Sequence, residues 1–144
     1  DNLTLFANGA FITGKYDRLD PTAAPAQAIT LFNIDKPTVP QTPDYTVTVG
    51  FDYGIDTAVG RVKLGADWFF QDAYITGATN DFQVQPYNLG NAFAAVSFGD
   101  NWTARATVKN LQDREIFATG SRGLGGFIPM PRRTWLLSLE YSMD

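Results

Sequence analysis

Two strictly alternating segments near the C-terminal end constrain this chain more than any other feature. From Trp102 to Lys109, Trp102, Ala104, Ala106 and Val108 fall on one parity and Thr103, Arg105, Thr107 and Lys109 on the other. From Thr134 to Met143, Trp135, Leu137, Leu139, Tyr141 and Met143 oppose Thr134, Ser138, Glu140 and Ser142, and only Leu136 breaks the polar parity. Side chains of an extended chain point alternately to opposite faces, so each segment reads as a strand with one apolar and one polar face. The Gly- and Pro-rich stretch between them is the connection of a β-hairpin with a long loop.

The rest of the chain repeats the pattern. Leu3 to Tyr16 is a first strand, with Leu3, Leu5, Ala7 and Phe11 on one face and Phe6 and Ile12 on the other. A long loop from Asp17 to Pro43 holds Pro21, Pro25, Pro37, Pro40 and Pro43. Tyr45, Val47, Val49, Phe51 and Tyr53 then alternate with Thr46, Thr48, Gly50 and Asp52. A turn from Gly54 to Gly60 leads to Val62, Leu64, Ala66, Trp68 and Phe70, opposite Arg61, Lys63, Gly65, Asp67 and Gln71. Ile75 to Pro86 reads as a loop, Asn88 to Phe98 as a strand with Ala92, Ala94, Val96 and Phe98 on its apolar face, and Gly99 to Asn101 as a tight turn. No segment carries helical periodicity.

The expected fold is all-β: an antiparallel up-and-down meander of about six strands whose connections alternate long, short, long, short, long. Membrane barrels combine short turns at one end with long loops at the other, and their strands of about 9 to 11 residues cross the hydrocarbon. Trp68, Phe70, Tyr74, Trp102, Trp135 and Tyr141 lie towards strand ends, where interfacial aromatic residues belong. No apolar run reaches the ~20 residues of a membrane helix, and the mean hydropathy of -0.14 is what alternating strands give. The same alternation also suits a soluble β-sandwich or small ligand-binding barrel, a soluble or surface domain that would bind saccharide or protein.

Composition narrows the chemistry. Eleven Lys and Arg against fifteen Asp and Glu give a net charge of -4, which argues against nucleic acid as a partner. The chain has no His and no Cys, so His-based catalysis, disulfides and His or Cys metal sites are all excluded. A barrel lipase or protease is disfavoured on the same ground, and no catalytic residue, resident metal or cofactor is expected. Gly9 to Lys15 has the spacing of a phosphate loop, but Tyr16 replaces the Ser or Thr that would contact magnesium, and no strand-to-helix context surrounds it. Gly120 to Gly126 reads as a flexible external loop, and Asp67 and Asp72 fall on opposite parities, so they do not form a carboxylate pair. Asn110 and Asp113 are the side chains expected to end a strand and bend the chain through local hydrogen bonds. Arg132 and Arg133 suit either strand-flanking charges or contacts to an anion.

The C-terminal hairpin resembles that of TonB-dependent outer-membrane receptors. Asn110-Leu111-Gln112-Asp113, followed by Phe117, is similar to that family's penultimate-strand ending; Pro131-Arg132-Arg133-Thr134-Trp135 resembles the start of its last strand, and Leu139 to Ser142 its closing residues. Pro43 to Val47 is similar to a proline-led return strand upstream. Met143 stands where the family usually ends on an aromatic residue. The resemblance implies that residues 1–144 are the C-terminal part of a transmembrane β-barrel in the bacterial outer membrane, with the plug domain and N-terminal strands lying elsewhere. Six strands are too few to close a barrel, which supports the same reading. The implied function is uptake of a nutrient such as a ferric siderophore, cobalamin or a saccharide, without bond chemistry. The implied partners are outer-membrane lipid, a small-molecule ligand such as an iron chelate, and the TonB complex, which would be engaged through the missing N-terminal part. Candidate ligand contacts lie in the loops at Phe32, Phe82, Phe117, Arg122 and Phe127.

Overall fold

The computed structural model describes residues 2–15, 22, 39–77, 82–99, 101–121 and 126–143. Among the described residues ten strands occur, in the order β1 (Leu3–Phe11), β2 (Tyr45–Thr57), β3 (Gly60–Gln71), β4 (Tyr74–Ile75), β5 (Gln83–Val84), β6 (Tyr87–Phe98), β7 (Trp102–Lys109), β8 (Phe117–Ser121), β9 (Gly126–Pro129) and β10 (Thr134–Tyr141), and no helix. Six of them form one antiparallel sheet ordered β1-β2-β3-β6-β7-β10, in which every strand pairs with the next in the meander. The expected six-strand order is what the sheet shows.

Three boundaries differ from the sequence reading. β1 stops at Phe11 instead of reaching Tyr16, although Ile12 still donates to the Asp44 carbonyl at 3.0 Å. The Gly54–Gly60 turn contracts to Ala58 and Val59 because Gly54 stays in β2 beneath the Arg61 guanidinium. Gly60 is the glycine this turn requires: its φ is +135°, and a Cβ there would lie 1.8 Å from the Ser97 carbonyl oxygen. The loops after β3 and β7 also contain the short hairpins β4-β5 and β8-β9.

Register decides which faces align. One row crosses all six strands as Leu5, Phe51, Ala66, Ala92, Val108 and Trp135, and a second as Leu3, Tyr53, Leu64, Ala94, Ala106 and Leu137. Alternation is local to each strand, whereas these pairings place all six apolar parities on one side. That side is open: Leu5 is 73% and Leu137 83% exposed. Among the described residues, the buried apolar side chains are only Ile75, Val84, Ala95, Val108 and Ile116, and three of these lie off the main sheet. A soluble sandwich needs a second layer over its apolar face, and none covers this one among the described residues.

The opposite face carries Thr48, Asp52, Arg61, Lys63, Asp67, Arg105 and Glu140, interrupted by aromatic side chains that cover glycines on the neighbouring strand. Phe6 lies over its register partner Gly50 and Phe93 over Gly65, where a Cβ would come within 2.4 and 2.3 Å of the rings. Such cross-strand aromatic–glycine pairs pin register where glycine supplies no packing of its own. Asn91 donates to Asp67 at 2.7 Å across the same face.

All long connections (12–44, 72–86 and 110–133) leave one end of the sheet, and the short turns at 58–59 and 99–101 leave the other. At the short-turn end, Phe98, Trp102 and Tyr141 form a run of rings with centroids 6.5 and 4.8 Å apart. Phe11, Tyr45, Phe70 and Trp135 stand at the long-loop ends of their strands, with Trp68 two residues further in than Phe70. Tyr74 is the exception to the expected aromatic band, since it belongs to β4 in the loop layer.

Candidate functional site

Above the sheet the loops after β3 and β7 are packed together. Tyr74 Oη donates to the Ala118 carbonyl at 2.7 Å and Thr76 Oγ1 to the Gly120 carbonyl at 2.9 Å, linking β4 and its flank to β8. Thr76 N–H donates to the Phe82 carbonyl at 3.1 Å, and Gln41 N–H, from the loop before β2, to the Ile75 carbonyl at 2.8 Å. Beneath these bonds Ile75, Val84 and Ile116 are buried, Val84 to 2% exposure. Burial also raises the Tyr74 hydroxyl above its usual pKa, opposed in part by a hydrogen bond with Gln71.

Three of the five sequence candidates meet on this layer. The Phe82 and Phe127 rings lie 5.0 Å apart and those of Phe117 and Phe127 5.9 Å apart, both pairs tilted, which is a favourable aromatic geometry. Phe117 and Phe127 remain exposed. Phe32 and Arg122 lie outside the described residues. A recess of about 290 Å³ opens beside the rings, lined by Phe82, Val84, Tyr87, Arg114, Ile116 and Phe117 among others. Arg114, which the sequence reading did not single out, brings an exposed guanidinium to the rim. Its position was legible only through Asn110, which binds the Arg114 backbone.

Asn110 and Asp113 hold the base of the loop. Both adopt left-handed backbone at φ +54°, where Asn and Asp are the best tolerated non-glycine residues. The Asn110 side chain is buried to 4% exposure; its Nδ2 donates to the Arg114 carbonyl at 2.8 Å and its Oδ1 accepts from Arg114 N–H at 2.9 Å. Asp113 accepts from Arg132 Nε and one of its terminal nitrogens at 3.1 and 2.9 Å, and from Arg133 N–H at 2.9 Å. The Arg133 guanidinium donates to the Leu111 carbonyl. Both arginines are therefore engaged in fastening the two ends of the long loop, the strand-flanking role of the two expected for them. The Arg132 hydrogen bond, seconded by Arg133 N–H, holds the Asp113 carboxyl below the usual carboxylate range.

This geometry offers an aromatic and cationic wall for a bound molecule. Among the described residues there is no group of three or more acidic side chains able to hold a metal. The phosphate-loop spacing has no such structure, since Gly9 to Phe11 continue β1.

No protein-family model matches the sequence, and no curated protein matches it. Solved structures do. The ferric yersiniabactin uptake receptor FyuA from Yersinia pestis aligns with a TM-score of 0.79 at 16% identity, over 99% of this chain and 21% of its own. BauA, the ferric preacinetobactin receptor from Acinetobacter baumannii, aligns at 0.74 and 19% identity over 98% of this chain and 20% of its own. The ferric-catecholate import receptor Fiu from K12 E. coli aligns at 0.75 and 16% identity, over 97% of this chain and 19% of its own. The chain thus has the fold of a portion of these β-barrel receptors and spans about a fifth of their length.

Proposed function

We propose that residues 1–144 are the C-terminal part of a TonB-dependent receptor of the bacterial outer membrane, which captures a scarce nutrient and imports it without chemical change. The observation that carries this reading is the apolar face running through register-matched rows of all six strands and left uncovered, with a polar face behind it. Backbone pairing within a sheet satisfies the amides that hydrocarbon cannot, and side chains such as Leu5 and Leu137 gain a nonpolar solvent. Lipid is then the partner of that face, and the polar face lines the lumen. The two outer strands each lack one neighbour among the described residues, so further strands from the rest of the protein would close the barrel.

The ligand class is a ferric chelate, the cargo named for FyuA, BauA and Fiu. The ring cluster of Phe82, Phe117 and Phe127 offers stacking surface for it and Arg114 a positive charge at the rim; Phe32, in the loop before β2, and Arg122, in the loop after β7, are proposed to contribute as well. A chelated metal arrives already coordinated, so the wall needs no metal ligands of its own. Energy would come from the TonB complex, engaged by the N-terminal part of the protein.

The test uses the full-length protein. It is expected in the outer-membrane fraction, with gel migration that changes on heating, and cells expressing it should accumulate iron supplied as catecholate or phenolate chelates only when TonB is present. Recovery as a compact water-soluble protein, or uptake indifferent to TonB, overturns the proposal. Phe117→Ala combined with Phe127→Ala should weaken chelate binding about tenfold, the scale of one or two lost aromatic contacts.

A further inference from the structure

Both backbone polar groups of Arg114 end on one side chain. Asn110 Oδ1 accepts from Arg114 N–H at 2.9 Å, and Asn110 Nδ2 donates to the Arg114 carbonyl at 2.8 Å. Residues 110–116 lie between β7 and β8 and belong to no strand, so Arg114 has no neighbouring strand to fix its direction. The Asn110 carboxamide takes that place, since it offers an acceptor and donors together, as the peptide groups of a paired strand do.

Asn110 is itself anchored. It is buried, its own N–H donates to Asn91 Oδ1 of β6 at 3.2 Å, and its Nδ2 also reaches the Pro131 carbonyl at 3.3 Å, on the far side of the loop. A side chain tied to β6 and to both ends of the 110–133 connection therefore sets the point from which the exposed Arg114 side chain starts. The Arg114 guanidinium, 3.5 Å from the Asn88 carbonyl oxygen, then stands at the rim of the recess lined by Phe82, Tyr87 and Phe117. Its charge is uncommitted. The ion pairs among the described residues are Arg61 with Asp56 and Arg132 with Asp113, and no carboxylate comes within 4 Å of Arg114, although Glu115 lines the same recess.

We infer that Asn110 is a positioning residue for ligand binding: it aims Arg114 at the negative charge of a bound chelate, and through that contact the protein favours anionic over uncharged chelates. The inference rests on the receptor reading above and on the aromatic and cationic wall. A guanidinium that starts from a fixed backbone loses less freedom when it closes on an anion, and the charge-assisted hydrogen bond it makes is stronger than a neutral one. An asparagine that only fastened the loop would serve every ligand alike. One that aims a charge acts on the charge-dependent part of binding, which salt screens.

The test measures binding of a ferric tris(catecholate), an anionic complex, to the full-length protein in outer-membrane vesicles as ionic strength is raised. Wild-type affinity is expected to fall with salt, and Arg114→Gln should weaken binding about tenfold at low salt and flatten that dependence. Asn110→Gly, which accepts the left-handed backbone and deletes both bonds to Arg114, should weaken binding several-fold, flatten the salt dependence in the same way, and add nothing in the Arg114→Gln background. Effects that multiply in the double variant, or an Asn110→Gly protein that keeps the full salt dependence, overturn the inference. Heat-dependent gel migration reports folding of each variant. Where the glycine variant does not fold, Asn110→Asp, which keeps the acceptor for Arg114 N–H but not the donor to its carbonyl, enters the same cycle with the same expectation. A wild type that does not bind the complex overturns the receptor reading, and the inference with it. An Arg114→Gln protein that binds unchanged removes the rim charge and therefore the role of Asn110. If Arg114 matters while Asn110 is not coupled to it, only the role of Asn110 is lost.

Discussion

Asp113 shows how one side chain closes a long loop. It receives both prongs of Arg132 and the Arg133 amide, so residues at the two ends of the 110–133 connection meet at a single carboxylate. Because its folded pKa is depressed, chiefly by the Arg132 hydrogen bond, its contribution is complete above the unfolded value of about 3.9 and is lost as pH falls through the lower folded value. The protection factor of the Arg133 amide against hydrogen exchange is therefore expected to be flat from neutrality to about pH 4 and to drop below it. Asp113→Asn, which tolerates the left-handed backbone but carries no charge, should lower that protection above about pH 4, bringing it to the level the wild type shows in acid, and remove its acid dependence. Asp and Arg were each visible in the sequence, but their pairing was not: nineteen residues separate them, and no local pattern links their side chains. The same holds for Phe82, Phe117 and Phe127, which were legible as loop aromatics but not as one cluster.

At the scale of strands and hairpins, the two faces of the sheet should respond oppositely to charge. Leu137→Arg places a guanidinium on the apolar face near the middle of β10 and is expected to cost about 2–4 kcal/mol in the urea-induced unfolding of the full barrel in vesicles, whereas Thr48→Arg on the polar face should change it by less than about 1 kcal/mol. Equal costs would show that the apolar face does not meet lipid. The loop layer makes a different prediction. Tyr74→Phe deletes the hydroxyl that binds Ala118 and leaves the ring in place, so about 0.5–1.5 kcal/mol of loop stability should be lost, read as faster hydrogen exchange in β8 with the sheet unaffected. The six long strands were readable because each repeats a period of two over many residues. β4 and β5 were not, being two residues each, too short for any periodicity to register.

For the whole molecule, residues 1–144 on their own have, among the described residues, an uncovered apolar face and no strand partner for the outer backbone edges of β1 and β10. Both favour self-association in water. Sedimentation should find large aggregates without detergent, and a stable water-soluble monomer would contradict the fold's assignment to membrane. The sequence by itself determined the six long strands, their up-and-down order, the alternation of apolar and polar side chains along most of them and the end at which the long loops gather, because these follow from local alternation and turn chemistry. Only the tertiary structure decided that six apolar parities share one side and that two loops fuse over Ile75, Val84 and Ile116. Those facts depend on register and on contacts between residues far apart in the chain, which no single segment encodes.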